Sequence, residues 1–280
     1  MPRRKEVSMT LRILVATMPR AGSTWIFNVT REICRLAGYR PMPEEAAFAL
    51  GDRFEAGFRR AVRDSRRRSA WVLKTHRHLA DLPEGFRVIT AIRDPRDVLV
   101  SFARFTRADW QHALVATLNA VKVARTRAEL GRRSPLLEIV YPDIRDRPEA
   151  VVGRIATFLD LPVDGETARA IAARFDRASV ARRIREREQA VSAAMEAGRF
   201  PRAEELVRNF DRSFRVLDRA TGFQSGHVSD YRDGDWRCCA PPAALAALHR
   251  ALGPWLVEHG FADAREVARW ADGRPEPAAV

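Results

Sequence analysis

The sequence predicts an α/β fold: a single domain with a central parallel sheet flanked by helices. Three observations lead there. Short apolar runs rich in β-branched residues, at Leu11–Met18, Trp71–Thr75, Phe86–Ile92 and Leu137–Tyr141, read as buried strands. Apolar residues at helical spacing fill the stretches between them, the alternation that parallel strands joined by helical crossovers require. At 280 residues the chain is also long enough to bury one large core.

The first strand leads into Pro19-Arg20-Ala21-Gly22-Ser23-Thr24-Trp25, a small-residue turn that opens a helix. A helix start presents unpaired N–H groups and the positive end of its dipole, and together these attract phosphate or sulfate. Gly22 lets the backbone approach an anion closely, Ser23 and Thr24 add hydroxyls, and Arg20 adds a cation. Ile26, Val29, Ile33, Leu36 and Ala37 share one face of the helix, and Gly38 marks its end. The reading is a P-loop-like phosphate cradle; an ordinary N-capped helix is the plainer alternative. A Walker A loop is excluded, because that motif needs Gly-Lys before Ser/Thr and the chain contains no Gly-Lys pair.

Glu44 to Arg68 reads as one helix and a basic loop. The next strand ends in Leu73-Lys74-Thr75-His76, placing an ammonium and an imidazole at its carboxyl end. An imidazole there can take a proton from a hydroxyl near neutral pH, or it can be structural. Only three lysines occur, Lys5, Lys74 and Lys122, in a chain that otherwise uses Arg, which hints at a point-charge role for Lys74. The strand Phe86–Ile92 is followed by Arg93. Asp94 then fits an N-cap and Pro95 a first helical position, giving a helix through Ser101. In open parallel sheets ligands lie beyond the carboxyl ends of strands, so Arg93 faces the same crevice as the loop. The alternative is an ion pair with Asp94 or Asp97.

Asp109 to Glu129 reads as a longer helix, and Pro148 opens another whose apolar positions are Val151, Ile155, Phe158 and Leu159. In Arg182–Leu217, Ile184, Val191 and Met195 share a face. After Gly198 and Pro201 the period resumes at Leu206, Phe210, Phe214 and Leu217. This predicts a helical insertion, an αα-hairpin over 182–217 that serves as a lid, an acceptor wall, an oligomer contact or merely a solvated face. Ala244–His259 forms a last amphipathic helix. The domain is expected over 8–265, with 1–7 and 274–280 as tails.

These motifs resemble those of the sulfotransferases that use 3′-phosphoadenosine 5′-phosphosulfate (PAPS). Pro19–Trp25 is similar to their 5′-phosphosulfate loop, usually P-K-S-G-T-T-W. Ile92–Ser101 is similar to their 3′-phosphate motif, in which the Arg and the Ser eight positions on contact the phosphate. Leu73–His76 matches their K-T-H segment, whose His is the catalytic base. Leu137–Asp143 resembles their Y-E-D strand, and Ala178-Ser179-Val180 stands where they have Ser/Thr-Phe. His227–Trp236 resembles their last cofactor segment, ending in G-D-W. The blocks run in family order from Pro19 to Trp236. The resemblance implies a transfer of sulfonate from PAPS to an acceptor hydroxyl, less readily an amine, of a small molecule or metabolite, leaving 3′-phosphoadenosine 5′-phosphate (PAP). It implies His76, Lys74 and Arg20 as catalytic residues. It places Arg20, Ala21, Gly22, Ser23, Thr24, Trp25, Arg93, Ser101, Tyr141 and Ser179 around the nucleotide, and it calls for no metal. The family's R-K-G is absent, and Arg232 is the nearest substitute as a third 3′-phosphate cation. Arg20 replaces the loop Lys, Val180 the adenine-packing Phe, and the short dimer motif is missing, so an oligomer is possible but unsupported.

Composition sets limits on the rest. Basic residues outnumber acidic ones 49 to 36, a formal charge of +13. The arginines are scattered, and no helix-turn-helix, zinc-finger or RNP pattern accompanies them, so an anionic nucleotide is expected rather than nucleic acid. Cys34, Cys238 and Cys239 form neither a disulfide framework nor a zinc set. No apolar run reaches bilayer length and none reads as a signal peptide, so no membrane association and a cytoplasmic location are expected. A nucleotide-dependent kinase, or a non-catalytic nucleotide- or polyanion-binding protein, are the alternatives.

Overall fold

The computed structural model describes residues 10–46, 54–66, 68–79 and 82–274. Five parallel strands form the central sheet: β1 (Leu11–Ala16), β2 (Arg40–Met42), β3 (Ser69–Thr75), β4 (Phe86–Ile92) and β5 (Leu136–Val140). Their order is β2-β3-β1-β4-β5, with the short β2 at one edge. β1 lies at the centre, and its Ile13, Leu14, Val15 and Ala16 are fully buried, as a strand covered on both faces must be.

Register fixes the site. Val15 pairs with Lys74 and Ala16 with Thr75, so the turn after β1 and His76 emerge side by side at one edge. On the other flank β1 pairs with β4, and Met18 N–H donates to Ala91 O at 3.0 Å, carrying the contact beyond the strand's last residue. Arg93 therefore leaves the sheet beside the same turn.

Helices α1 (Ser23–Leu36), α2 (Phe54–Arg63), α3 (Pro95–Thr106) and α4 (Trp110–Leu130) follow in chain order. Asp94 caps α3 by accepting from Arg96 N–H and Pro95 occupies the first turn, as the sequence predicts; Asp109, read as the start of a helix, is the N-cap of α4. Tyr141 does not end a strand. It opens the short α5 (Tyr141–Asp146), followed by α6 (Pro148–Phe158), α7 (Gly165–Arg174) and α8 (Arg177–Glu196). The predicted αα-hairpin is half right. Its first helix is α8, which begins before residue 182. The second half is an antiparallel β-hairpin, β6 (Leu206–Arg208) with β7 (Phe214–Val216). The four-residue period of Phe210 and Phe214 is not a buried face, since both rings are more than half exposed. The turn Asn209–Ser213 closes the hairpin through Asn209 N–H to Ser213 O at 2.8 Å, with Arg212 at φ 70. Helices α9 (Trp236–Cys239), α10 (Pro242–Glu258) and α11 (Ala264–Ala271) complete the chain. Among the described residues no helix is long and apolar enough to cross a membrane. Of the expected tails at 1–7 and 274–280, all but Arg274 lie outside the described residues.

Candidate active site

A cavity of about 990 Å³ opens at the carboxyl edge of the sheet. Its floor is the turn after β1. Arg20 sits at φ 62 and Gly22 at φ 81, left-handed values that bend the chain sharply into α1. A Cβ on Gly22 would stand 2.6 Å from Ile144 Cδ1, so α5 packs directly against the turn. Ser23 and Thr24, in the first turn of α1, are buried and carry N–H groups without helical partners.

Lys74, on β3, donates to Thr24 Oγ1 at 3.0 Å and lies 3.5 Å from Ser23 Oγ. Burial, and then the neighbouring Arg20 charge, push its pKa down to about 8. His76 Nδ1 lies 2.9 Å from Thr17 O. A carbonyl only accepts, so Nδ1 carries the proton and Nε2 is left bare, 3.5 Å from Ser23 Oγ. Burial, reinforced by Lys74, holds the imidazole neutral, with its pKa down to about 3. The uncharged imidazole has its free nitrogen toward the cradle, and an anion bound beside it would raise its basicity.

The second half of the site comes from β4 and α3. Arg20 Nε donates to Ser101 Oγ at 3.0 Å, which bridges the two sequence motifs. Arg93 donates to Arg20 O at 2.9 Å and lies over the Tyr141 ring at 4.2 Å. It does not pair with Asp94 or Asp97. Its carboxylate is Asp233, which also accepts from Arg145 at 2.7 Å. Asp94 is taken by Arg96, and Asp97 accepts from Tyr231 Oη at 2.5 Å and Gly234 N–H at 2.9 Å. Burial raises Asp97 to about 6.

Arg20, Gly22, Ser23, Thr24, Trp25, Lys74, His76, Arg93, Ser101, Tyr141 and Arg232 all line this one cavity. Two predicted residues do not. Ala21 is fully buried under the turn, and Ser179 sits in the first turn of α8, where Asp176 accepts from its N–H at 2.6 Å; Val180 lines the cavity instead. Arg232 is exposed at the rim. Sequence reasoning gave no site role to Phe105, Val207, Arg215 and Phe223, and named His227 only as the start of the last cofactor-like segment; these residues form another wall of the cavity. Val207 and Arg215 are cross-strand partners on the β6–β7 hairpin, and cross-strand partners share a face. His227 stacks on Phe105 with ring centroids 4.8 Å apart. Among the described residues no cluster of His, Cys, Asp and Glu side chains is placed to hold a metal ion.

Cations and N–H groups at a helix start, an arginine beyond a neighbouring strand and a neutral imidazole between them are groups suited to an enzyme that transfers an anionic group from a nucleotide-like donor. The sulfotransferase domain model matches residues 11–182, more than half of the chain, and the chain belongs to the sulfotransferase family. Its enzymes transfer a sulfonate group. No curated protein sequence matches the chain. Its fold is similar to that of mouse sulfotransferase SULT7A1, solved in complex with PAP. That match has a TM-score of 0.59 and 18% identity, and covers 94% of this chain and 88% of that one. Retinol dehydratase, solved in a complex with retinol and PAP, is similar over 89% of this chain and 82% of its own, with a TM-score of 0.51 and 16% identity.

Proposed function

We propose that the chain transfers sulfonate from PAPS to a hydroxyl of a small-molecule acceptor, with the catalytic unit spanning 8–265. The observation that carries this reading is the tautomer of His76. Thr17 O fixes the proton on Nδ1, and the bare Nε2 sits beside the hydroxyls of the cradle. The residues fit the donor. Arg93 and Ser101 lie on one side of Arg20, Lys74 and Thr24 on the other, and Arg93 Nε has no partner. Those two groups of cations and hydroxyls match the 3′-phosphate and the 5′-phosphosulfate, and the Tyr141 and Trp25 rings offer surface for the base.

His76 Nε2 takes the acceptor's hydroxyl proton as the oxygen bonds to sulfur. The bond from sulfur to the bridging phosphate oxygen breaks, and PAP leaves. Lys74, Arg20 and the N–H groups of Ser23 and Thr24 meet the charge that develops on the sulfonate and the leaving phosphate. Preorganised donors of this kind are worth roughly 3–4 kcal/mol each in barrier. Three free cysteines without a disulfide support a reducing cytoplasm as the location.

The test is calorimetric titration with PAP, ADP and ATP without added magnesium, then transfer from PAPS to a panel of phenols and alcohols. Micromolar PAP binding, much weaker ADP and ATP binding and a sulfated product are expected. Equal affinity for the three nucleotides would overturn the 3′-phosphate assignment, and ATP-dependent phosphorylation would make the chain a kinase.

A further inference from the structure

Among the described residues four arginines are buried, and two of them are paired with carboxylates. Arg96 contacts Asp94 and Glu266, and Arg93 contacts Asp233. Arg20 has no carboxylate but lies in the phosphate cradle. Arg127 is buried without partners, yet it does not line the cavity. Arg215 is different. It is 8% exposed, faces the cavity from β7, and has no carboxylate partner among the described residues. Its one hydrogen bond runs from NH1 to Phe105 O at 3.3 Å, and its Nε has none. Burying a guanidinium without a counter-ion is costly, and the charge persists because arginine does not release its proton at neutral pH.

The surroundings of Arg215 suit an anionic group. Its guanidinium carbon and that of Arg20 each lie 3.9 Å from the centroid of the Phe105 ring. His227 Nδ1 lies 2.6 Å from Gln224 N–H, which can only donate, so His227 carries its proton on Nε2 and is a second hydrogen-bond donor in this wall. Burial and the charges of Arg20, Lys74 and Arg215 hold His227 neutral, so it adds a donor without adding a competing charge. Gln224 Oε1 also lacks a partner and can accept from an O–H or N–H of the same molecule. The remainder of the wall, Phe102, Phe105, Val207 and Phe223, is apolar.

We propose that the acceptor carries its own anionic group, a carboxylate or a phosphate on an apolar or aromatic body, held by Arg215 with the His227 N–H beside it. This rests on the sulfotransferase reading above, which places the donor on the side of Arg20 and Arg93 and leaves the hairpin wall for the acceptor. Arg215 is then a specificity determinant. It meets the acceptor's second charge and orients the hydroxyl toward His76 Nε2. A neutral phenol of the same size leaves the guanidinium unpaired and binds less well.

The test is carried out on the full chain saturated with PAP, which occupies the phosphate sites. Calorimetry then compares 3-phenylpropionate with 3-phenylpropionamide, and phenyl phosphate with phenol. Charge-assisted hydrogen bonds predict at least about ten-fold tighter binding of one anion than of its neutral partner. The carboxylate and phosphate arms show which anion fits. In Arg215→Met the preference is expected to fall within about two-fold, and Arg215→Lys should recover part of it. Retained PAP binding and an unchanged melting temperature report that each variant is folded. Equal binding of anion and neutral partner in the wild type, no binding of either anion, or a preference that survives in Arg215→Met overturns the proposal. That last result would place the acid in the sulfonate slot by Lys74. Failure of PAP to bind the wild type would instead strike the donor assignment, and the two failures are therefore distinguishable.

Discussion

Binding of PAP at pH 8 is expected to draw about half a proton from solution, and Lys74 is the group that takes it. Burial and the adjacent Arg20 lower its pKa to about 8, so half of the free protein carries a neutral amine there at that pH. A phosphate in the cradle is an opposite charge at contact distance, and such a charge typically raises a cation's pKa by about 1–3 units. A shift of two units makes the uptake about 0.5 proton at pH 8 and about 0.1 at pH 7. The sign is fixed, because the ligand favours the ammonium over the amine. The 3′-phosphate itself, with a second pKa of about 6, is already dianionic at pH 8 and contributes little. Arg20, although lowered by burial and by Arg93, remains a cation. The assay is calorimetry in buffers of different ionisation enthalpy, where the slope of observed heat against buffer enthalpy counts protons. A zero slope at pH 8 would refute the reasoning, as would a slope that persists in Lys74→Met.

Three other outcomes follow from the site. His76→Ala is expected to lower turnover by about 10²–10⁴-fold, the usual worth of a positioned base, with PAP affinity nearly unchanged; parallel loss of both in calorimetry and kinetics would make His76 structural. Arg93→Met is expected to erase the preference for PAP over ADP, about 10–100-fold for a charge-assisted contact of about 1.5–3 kcal/mol, and a preference that survives would relocate the 3′-phosphate. Gly22→Ala is expected to cost about 1–2 kcal/mol in denaturant unfolding and to weaken PAP binding. The alanine must hold φ 81, and its methyl meets Ile144; unchanged stability would show that the turn relaxes.

The inner strands β1, β3 and β4 were legible because they are largely covered on both faces, which leaves near-continuous apolar runs such as Phe86–Ile92, whereas the short edge strand β2 carries no such run. The α3 cap was legible because Asp94 and Pro95 act locally. The cradle, Lys74, His76 and Arg93 could be placed together because parallel strands deliver their carboxyl ends to one edge. The second half of the insertion was misread for a physical reason: four-residue spacing of apolar side chains is compatible with a helix face, but here Phe210 and Phe214 flank a tight turn and stay in solvent. The polar run Asn209, Asp211, Arg212 and Ser213 was the available signal for that turn. Arg215 and Phe105 belong to no motif, and only packing between distant segments brings them to one wall with His227, the first residue of the last cofactor-like segment. Asp233 as the partner of Arg93 lies 140 residues away in sequence and could not be found from local pairing.

That partnership means the donor site carries an internal counter-ion. In the free protein Arg93 and Arg145 share Asp233, and Arg145 also pairs with Asp146, so under the donor assignment proposed above the arrival of the 3′-phosphate is an exchange of one anion for another rather than the capture of an anion by bare charge. Few small ions from solution need to be released in that exchange. PAP affinity is accordingly expected to fall only gently with added salt, and the nucleotide must prevail over a tethered carboxylate by its geometry and by its contacts at the cradle. A lone phosphate or sulfate has no such second anchor, and free inorganic anions are therefore expected to compete poorly with the nucleotide for this site.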